Sequence, residues 1–333
     1  MPELRQNYAT KEWVIIASER AKRPSSYVEN GVHKLLTEDR PEYDPNCPFC
    51  VGNEELDLQV ENFPPVGPWK TRVVRNKYPA LSGDGLPVQL SDGVHASISG
   101  VGRHEVLVEH PRHNTTLALI DPEHIQLVLE TFQQRGKAMS EDPRIKQIIF
   151  FKNHGERAGA SLAHPHCQII GMPVVPDTIR RRMLAMQQHV NEQGENPIQV
   201  MLEEELQSGE RLINVSEHFV AFVLYAGSSP FHSWIVPRRP QANFLDVPPA
   251  ELADLAVVLR DMLRRIYYGL NDPDYNLIIR SSPLHEPNDS HFHWYIAMVP
   301  RLSRVAGFEM GSGMYINPSL PESCAAFLRD VRI

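Results

Sequence analysis

The chain carries one order of signals twice. In the first copy Glu105-Val-Leu-Val-Glu109 reads as a strand running into His110-Pro-Arg-His113. A helix follows, with Asp121 as cap and Pro122 in its first turn, and Ile125, Val128, Leu129 and Phe132 share one face. Then come the strand Gln147-Ile-Ile-Phe-Phe151, a loop, His164-Pro-His166 and Met172-Pro173. In the second copy Ser233-Trp-Ile-Val236 is the strand, followed by Pro237-Arg-Arg-Pro240. Asp246-Val-Pro-Pro249 opens a helix carrying Leu252, Leu255, Val258, Leu259, Met262 and Leu263, and Tyr275-Asn-Leu-Ile-Ile279 leads by a loop to His291-Phe-His293. Pro111 to Pro237 is 126 residues, His164 to His291 is 127, and Met172 to Met298 is 126. Three landmarks in near-constant register predict tandem duplication of an α+β unit, an antiparallel sheet backed by helices. The expected division is residues 1–175, a helical linker over 176–209, and 210–333. Residues 1 to about 100 read as an elaboration of short strands on the first unit.

At 333 residues, with 42% hydrophobic and 22% charged residues, the chain has the composition of a soluble globular protein large enough for two domains. The net charge of −8 argues against wholesale nucleic-acid binding, which rests on neutralising phosphates, but allows a local basic pocket. No run approaches the roughly 18 apolar residues of a membrane span, so no membrane partner is expected. Met1-Pro-Glu-Leu-Arg-Gln-Asn7 lacks the apolar core of a signal peptide. Only four cysteines occur, two of them as Cys47-Pro-Phe-Cys50, which fits a reducing, cytoplasmic compartment. That pair is then a metal or redox element rather than a structural disulfide.

The pair has zinc-knuckle spacing and fills two corners of a tetrahedron. His110, His113, His164 and His166 are the candidates for the other two. A redox pair is the rival, but Asp44-Pro-Asn46 before Cys47 reads as a loop, not as the strand that precedes a thioredoxin-like motif. In an extended segment His164, His166 and Gln168 point to one face. A lone His-x-His is ordinarily two satisfied strand histidines. This one is approached by Asn153-His-Gly155-Glu-Arg-Ala-Gly159-Ala-Ser161, which combines small residues with donors for phosphate oxygens. His166 is the best nucleophile, able to attack phosphorus if its other ring nitrogen is held as a donor. Gln168 is placed to hydrogen-bond a non-bridging oxygen as charge builds. The second copy lacks both the glycine-rich approach and the glutamine. Arg20-Ala-Lys22-Arg23-Pro24, Arg72, Arg75 and Lys77 form a basic group suited to a diphosphate-bearing ligand.

Asn153-x-Gly155, Gly159-x-Ser161 and His164-Pro-His166-x-Gln168 together resemble the signature of the galactose-1-phosphate uridylyltransferases, the transferase branch of the histidine-triad superfamily. The resemblance implies two histidine-triad-like units per chain, usually in a homodimer whose sites borrow residues across the interface. It implies a structural zinc on Cys47, Cys50, His113 and His164. His166 is implied as the nucleotidylated residue, with Gln168 and Ser161 beside it. Arg20 and Arg23, Asn153 and Gly159, the nucleoside segment Asn76-Lys77-Tyr78, and Phe308-Glu309 for the sugar phosphate complete the implied site. The family's second metal site uses a Glu where this chain reads Pro176-Asp-Thr-Ile-Arg-Arg-Arg182, so one zinc is expected. The implied reaction moves UMP from UDP-glucose to galactose 1-phosphate, a nucleotide sugar and a hexose 1-phosphate, by a ping-pong mechanism. The stretch Gly307-Phe-Glu-Met-Gly-Ser-Gly-Met-Tyr-Ile-Asn317 looks more like a branch that includes ADP-glucose phosphorylases, the alternative reading. A nucleotide-binding module without turnover is the other.

Overall fold

The computed structural model describes residues 1–18, 27, 35–285 and 291–333. Ten strands form one sheet. Five come from the first copy: β1 (Gln59–Phe63), β2 (Thr71–Arg75), β3 (Arg103–Val108), β4 (Gln147–His154) and β5 (His166–Met172). Five come from the second: β6 (Leu212–Val215), β7 (Phe219–Val223), β8 (Ser233–Pro237), β9 (Tyr275–Arg280) and β10 (Tyr295–Pro300). The spatial order is β6-β7-β8-β10-β9-β4-β5-β3-β2-β1, antiparallel at every pairing. Read inward from each edge, the halves run 1-2-3-5-4 and 6-7-8-10-9, which is one topology used twice. They meet at a seam where β4 pairs with β9, Asn153 opposite Asn276 and Phe151 opposite Ile278. The fold is the expected α+β duplication.

Two details differ from the sequence reading. Strands β1 and β2 belong to the duplicated sheet, as counterparts of β6 and β7, and are not an elaboration on it. In β2 four consecutive residues from Thr71 to Val74 are buried, so no alternation marks the strand. The constant offset also fails inside the sheet. Phe151 pairs with Gln168, but Leu277, 126 residues on, pairs with Met298, four residues past Trp294. His166 therefore opens β5, whereas His291 and His293 fall before β10 begins.

Helices α1 (Pro122–Ser140) and α4 (Pro249–Leu270) pack together on one face of the sheet. Their predicted apolar stripes are the ones that bury, and Asp121 stands at the N-cap of α1 while α4 starts three residues after Asp246. Alternate strand residues from both halves, including Val73, Leu107, Phe150, Ile169, Ala221, Ile235 and Leu277, join them in one core. Between the halves in sequence run α2 (Asp177–Gln193) and α3 (Pro197–Ser208). Met186, Ile198 and Leu202 of these helices cover Val220, Phe222, Trp234 and Tyr295 on the sheet's other face. That cover lies over the second half. On the first half the equivalent face, carrying Arg72, Val74, Val106, His166 and Gln168, lines a cavity. Among the described residues no helix is long and apolar enough to cross a membrane.

Phe150 packs edge-to-face on Phe132 of α1 at 5.2 Å and on Phe244 from the second half at 5.6 Å. Phe150→Ala is expected to cost about 3–5 kcal/mol in urea unfolding, in a single transition because both halves share this core.

Candidate functional site

Tight turns present the two cysteines. The Cys47 N–H donates to the Asp44 carbonyl at 3.1 Å and the Cys50 N–H to the Cys47 carbonyl at 3.2 Å. The Asn53 side chain donates to the Cys47 carbonyl at 2.9 Å, holding the turn closed. The Asp44 N–H approaches Cys50 Sγ at 3.4 Å, a donor suited to a thiolate. Of the four histidines considered, the structure brings His113 and His164 to this pair. One ligand atom from each of the four residues lies within 4.8 Å of the others, all buried. Cys50 Sγ is 3.6 Å from Nδ1 of both His113 and His164. A tetrahedral zinc with bonds of about 2.0–2.3 Å needs ligand separations of about 3.3–3.8 Å, a range that holds both Cys50–histidine distances. His164 donates Nε2–H to the His110 carbonyl at 2.8 Å, which leaves the Nδ1 lone pair facing the cluster. Burial lowers its pKa to about 4, keeping the ring neutral.

His166 is held the other way round. Its Nδ1–H donates to the His164 carbonyl at 2.8 Å, and Nε2 keeps its lone pair. Burial lowers its pKa, and the nearby Lys152 charge acts in the same sense, so the nucleophilic form persists. His166 and Ser161 stand between two cavities. One, of about 590 Å³, is lined by Phe49, Arg72, Asn76, Tyr78 and Gln168. The other, of about 530 Å³, is lined by Arg40, Asn153, His154 and Gly155.

The loop between β4 and β5 is anchored from the other half. Asn276 Nδ2 donates to Asn153 Oδ1 at 2.8 Å and to the Ala158 carbonyl at 2.9 Å. Gly155, at φ +82°, could carry no side chain: a Cβ would lie 2.2 Å from the Asp274 carboxylate. Gly159, also left-handed, closes the single turn Glu156–Ala158.

Lys77 is ion-paired with Glu55 at 3.0 Å on the cavity rim, and Tyr78 is exposed. Arg75 bonds the Asp57 carbonyl at that rim. Arg72 is buried in the wall, donating to the Pro48 carbonyl at 2.9 Å. Phe308 and Glu309 lie elsewhere, in the short helix α5 (Gly307–Ser312), where Glu309 accepts the Ala306 N–H at 2.9 Å. They line neither cavity. Arg20 and Arg23 fall outside the described residues. Arg182, in the stretch where the second metal site was not expected, is paired with Glu12 at 3.0 Å.

Sequence reasoning missed a charge pair beneath His166, on the helix side of the sheet. Lys152 Nζ sits 2.5 Å from Glu109 Oε1, and the Cys167 thiol donates to the same oxygen at 2.8 Å. Lys152 also reaches the His166 carbonyl at 3.4 Å. Opposite charges directly after the apolar runs ending at Val108 and Phe151 were the available signal. Removing one partner strands a buried charge, so Glu109→Ala is expected to cost about 3–5 kcal/mol in urea denaturation. Glu109→Leu combined with Lys152→Met should recover most of that loss in the same measurement.

Residues 1–176 match the family described as galactose-1-phosphate uridyl transferase, N-terminal domain. An ADP-glucose phosphorylase from Arabidopsis thaliana is 37% identical, covering 100% of this chain and 93% of the relative. A galactose-1-phosphate uridylyltransferase from Thermotoga maritima is 32% identical, covering 100% of this chain and 99% of the relative. A crystal structure of an Arabidopsis thaliana ADP-glucose phosphorylase with bound ADP-glucose superposes with a TM-score of 0.83 at 32% identity, covering 100% of this chain and 99% of that one. The chain belongs to the galactose-1-phosphate uridylyltransferase family and is a nucleotidyltransferase.

Proposed function

We propose that the chain carries a nucleotidyl group on His166 between a nucleotide sugar and a phosphate-bearing acceptor. One observation carries the reading: with Nδ1–H bound to the His164 carbonyl, Nε2 offers a lone pair between two cavities. Nε2 attacks the α-phosphorus, a P–N bond forms, the bond to the β-phosphate oxygen breaks, and the sugar 1-phosphate leaves. A phosphate oxygen of the acceptor then attacks the same phosphorus and the P–N bond breaks, freeing His166. Gln168, Ser161, Asn153 and the Gly159 turn surround the phosphoryl oxygens. Asn76, Lys77 and Tyr78 hold the nucleoside. Phe308 and Glu309 reach a sugar phosphate only from a second copy of the chain, so the working unit is a homodimer. The ion at Cys47, Cys50, His113 and His164 is zinc, which locks the knuckle to the strand that bears His166. No step passes through it.

ADP-glucose with inorganic phosphate is the favoured substrate pair, supported by 37% identity to the Arabidopsis phosphorylase against 32% to the Thermotoga uridylyltransferase. Transfer of UMP from UDP-glucose to galactose 1-phosphate is the second reading, supported by the family match. Incubation with each nucleotide sugar followed by intact-mass measurement is expected to show an AMP adduct from ADP-glucose. A UMP adduct alone supports the second reading, and no adduct from either refutes the covalent role. His166→Asn should form no adduct while still binding the nucleotide. Metal analysis is expected to find about one zinc per chain, reduced in Cys50→Ser. A natively folded chain without zinc would refute the site.

A further inference from the structure

Gln168 Oε1 lies 2.8 Å from Nε2 of His104, which opens toward it from β3. The other ring nitrogen, Nδ1, faces the backbone N–H of Ala80 at 3.1 Å. A peptide N–H only donates and cannot turn around, so Nδ1 must carry the lone pair. In the neutral ring the proton then sits on Nε2 and must be donated to Gln168. Asn76 Nδ2 lies 3.1 Å from the same Nε2, its Oδ1 being engaged by the Tyr78 N–H at 2.9 Å. A bond from Asn76 would need the opposite tautomer and would set two hydrogens facing each other at Ala80. The fixed donor decides.

We propose that His104 is a positioning residue that sets which end of the Gln168 amide meets the phosphoryl group. With its carbonyl tied to Nε2–H, Gln168 turns its NH2 into the cavity it shares with His166. A reversed amide would aim a carbonyl oxygen at a phosphoryl oxygen and repel it. The backbone that carries the ring is held from both sides. The Asn76 N–H donates to the His104 carbonyl at 2.9 Å, and the next residue, Glu105, is clamped to α1 by Arg135 through two bonds of 2.8 Å. His104 thus ties the segment proposed to hold the nucleoside to the group proposed to hold the phosphate. This rests on the nucleotidyl-histidine reading.

The test is single-turnover adduct formation with saturating ADP-glucose or UDP-glucose, alongside nucleotide affinity. His104→Phe is expected to slow adduct formation about 10- to 100-fold, less than the roughly 100- to 1000-fold cost of deleting an oriented donor outright, with affinity changed less than about threefold. In a Gln168→Ala background the same change should cost nothing further, because the amide it orients is gone. His104→Gln places an NH2 near the Nε2 position and should keep most of the rate. The isosteric His104→Glu offers only acceptors and should lose it. Wild-type rates in His104→Phe, equal losses in both backgrounds, or equal rates in His104→Gln and His104→Glu would each overturn the assignment. If His104→Phe fails to fold, the Gln and Glu pair decides alone. A wild-type chain that forms no adduct overturns the nucleotidyl-histidine reading and this role with it, an outcome separate from normal adduct formation in the variants.

Discussion

The proton on Nδ1 of His166 is committed to a backbone carbonyl, that of His164, and the rest of the site follows from this bond. An imidazole has two nitrogens and, when neutral, one proton, so fixing one nitrogen as donor fixes the other as lone pair. His164 uses the complementary arrangement, donating from Nε2 to the His110 carbonyl and offering Nδ1 to the cysteines. Two rings of the same type, two residues apart, therefore acquire different chemistry from which nitrogen the main chain has taken. The carbonyls can do this because β3 and β5 pair, with Val108 opposite His166 and the Glu109 N–H bound to the Pro165 carbonyl.

The duplicated sheet explains why one half holds the site. Both halves bury one face against α1 and α4. The second half buries its other face too, under α2 and α3, and its stacked Trp234 and Tyr295 lie beneath that cover. On the first half that face lines a cavity instead, with small Val74 and Val106 between Arg72, His166 and Gln168. The four-residue displacement of β10 completes the asymmetry by taking His291 and His293 off the strand.

Much of this was legible in the sequence, because duplication, apolar helix stripes and the His-Pro-His motif are local patterns. The knuckle partners were narrowed to four histidines by residue type, and the resemblance named the two that the structure brings together. The rest was hidden for physical reasons. Strand β2 has no alternation, since both its faces are buried. His104 looks like any strand histidine until the chain folds Ala80 against one nitrogen and Gln168 against the other. Lys152 and Glu109 read as surface charges until the sheet buries both. Phe308 and Glu309 match by motif yet do not line the cavity beside His166 within one chain.

The seam between β4 and β9 has a consequence for how the loop beside His166 keeps its shape. Asn276 and Asp274, which hold the Asn153–Ser161 loop in shape, belong to the partner unit of the duplication. Were the units separate chains, the loop beside His166 would need a bimolecular encounter merely to take its shape. Covalent fusion makes that encounter intramolecular, at an effective concentration set by the intervening helices rather than by expression level. The second unit can then buttress the first without preserving a nucleophile of its own.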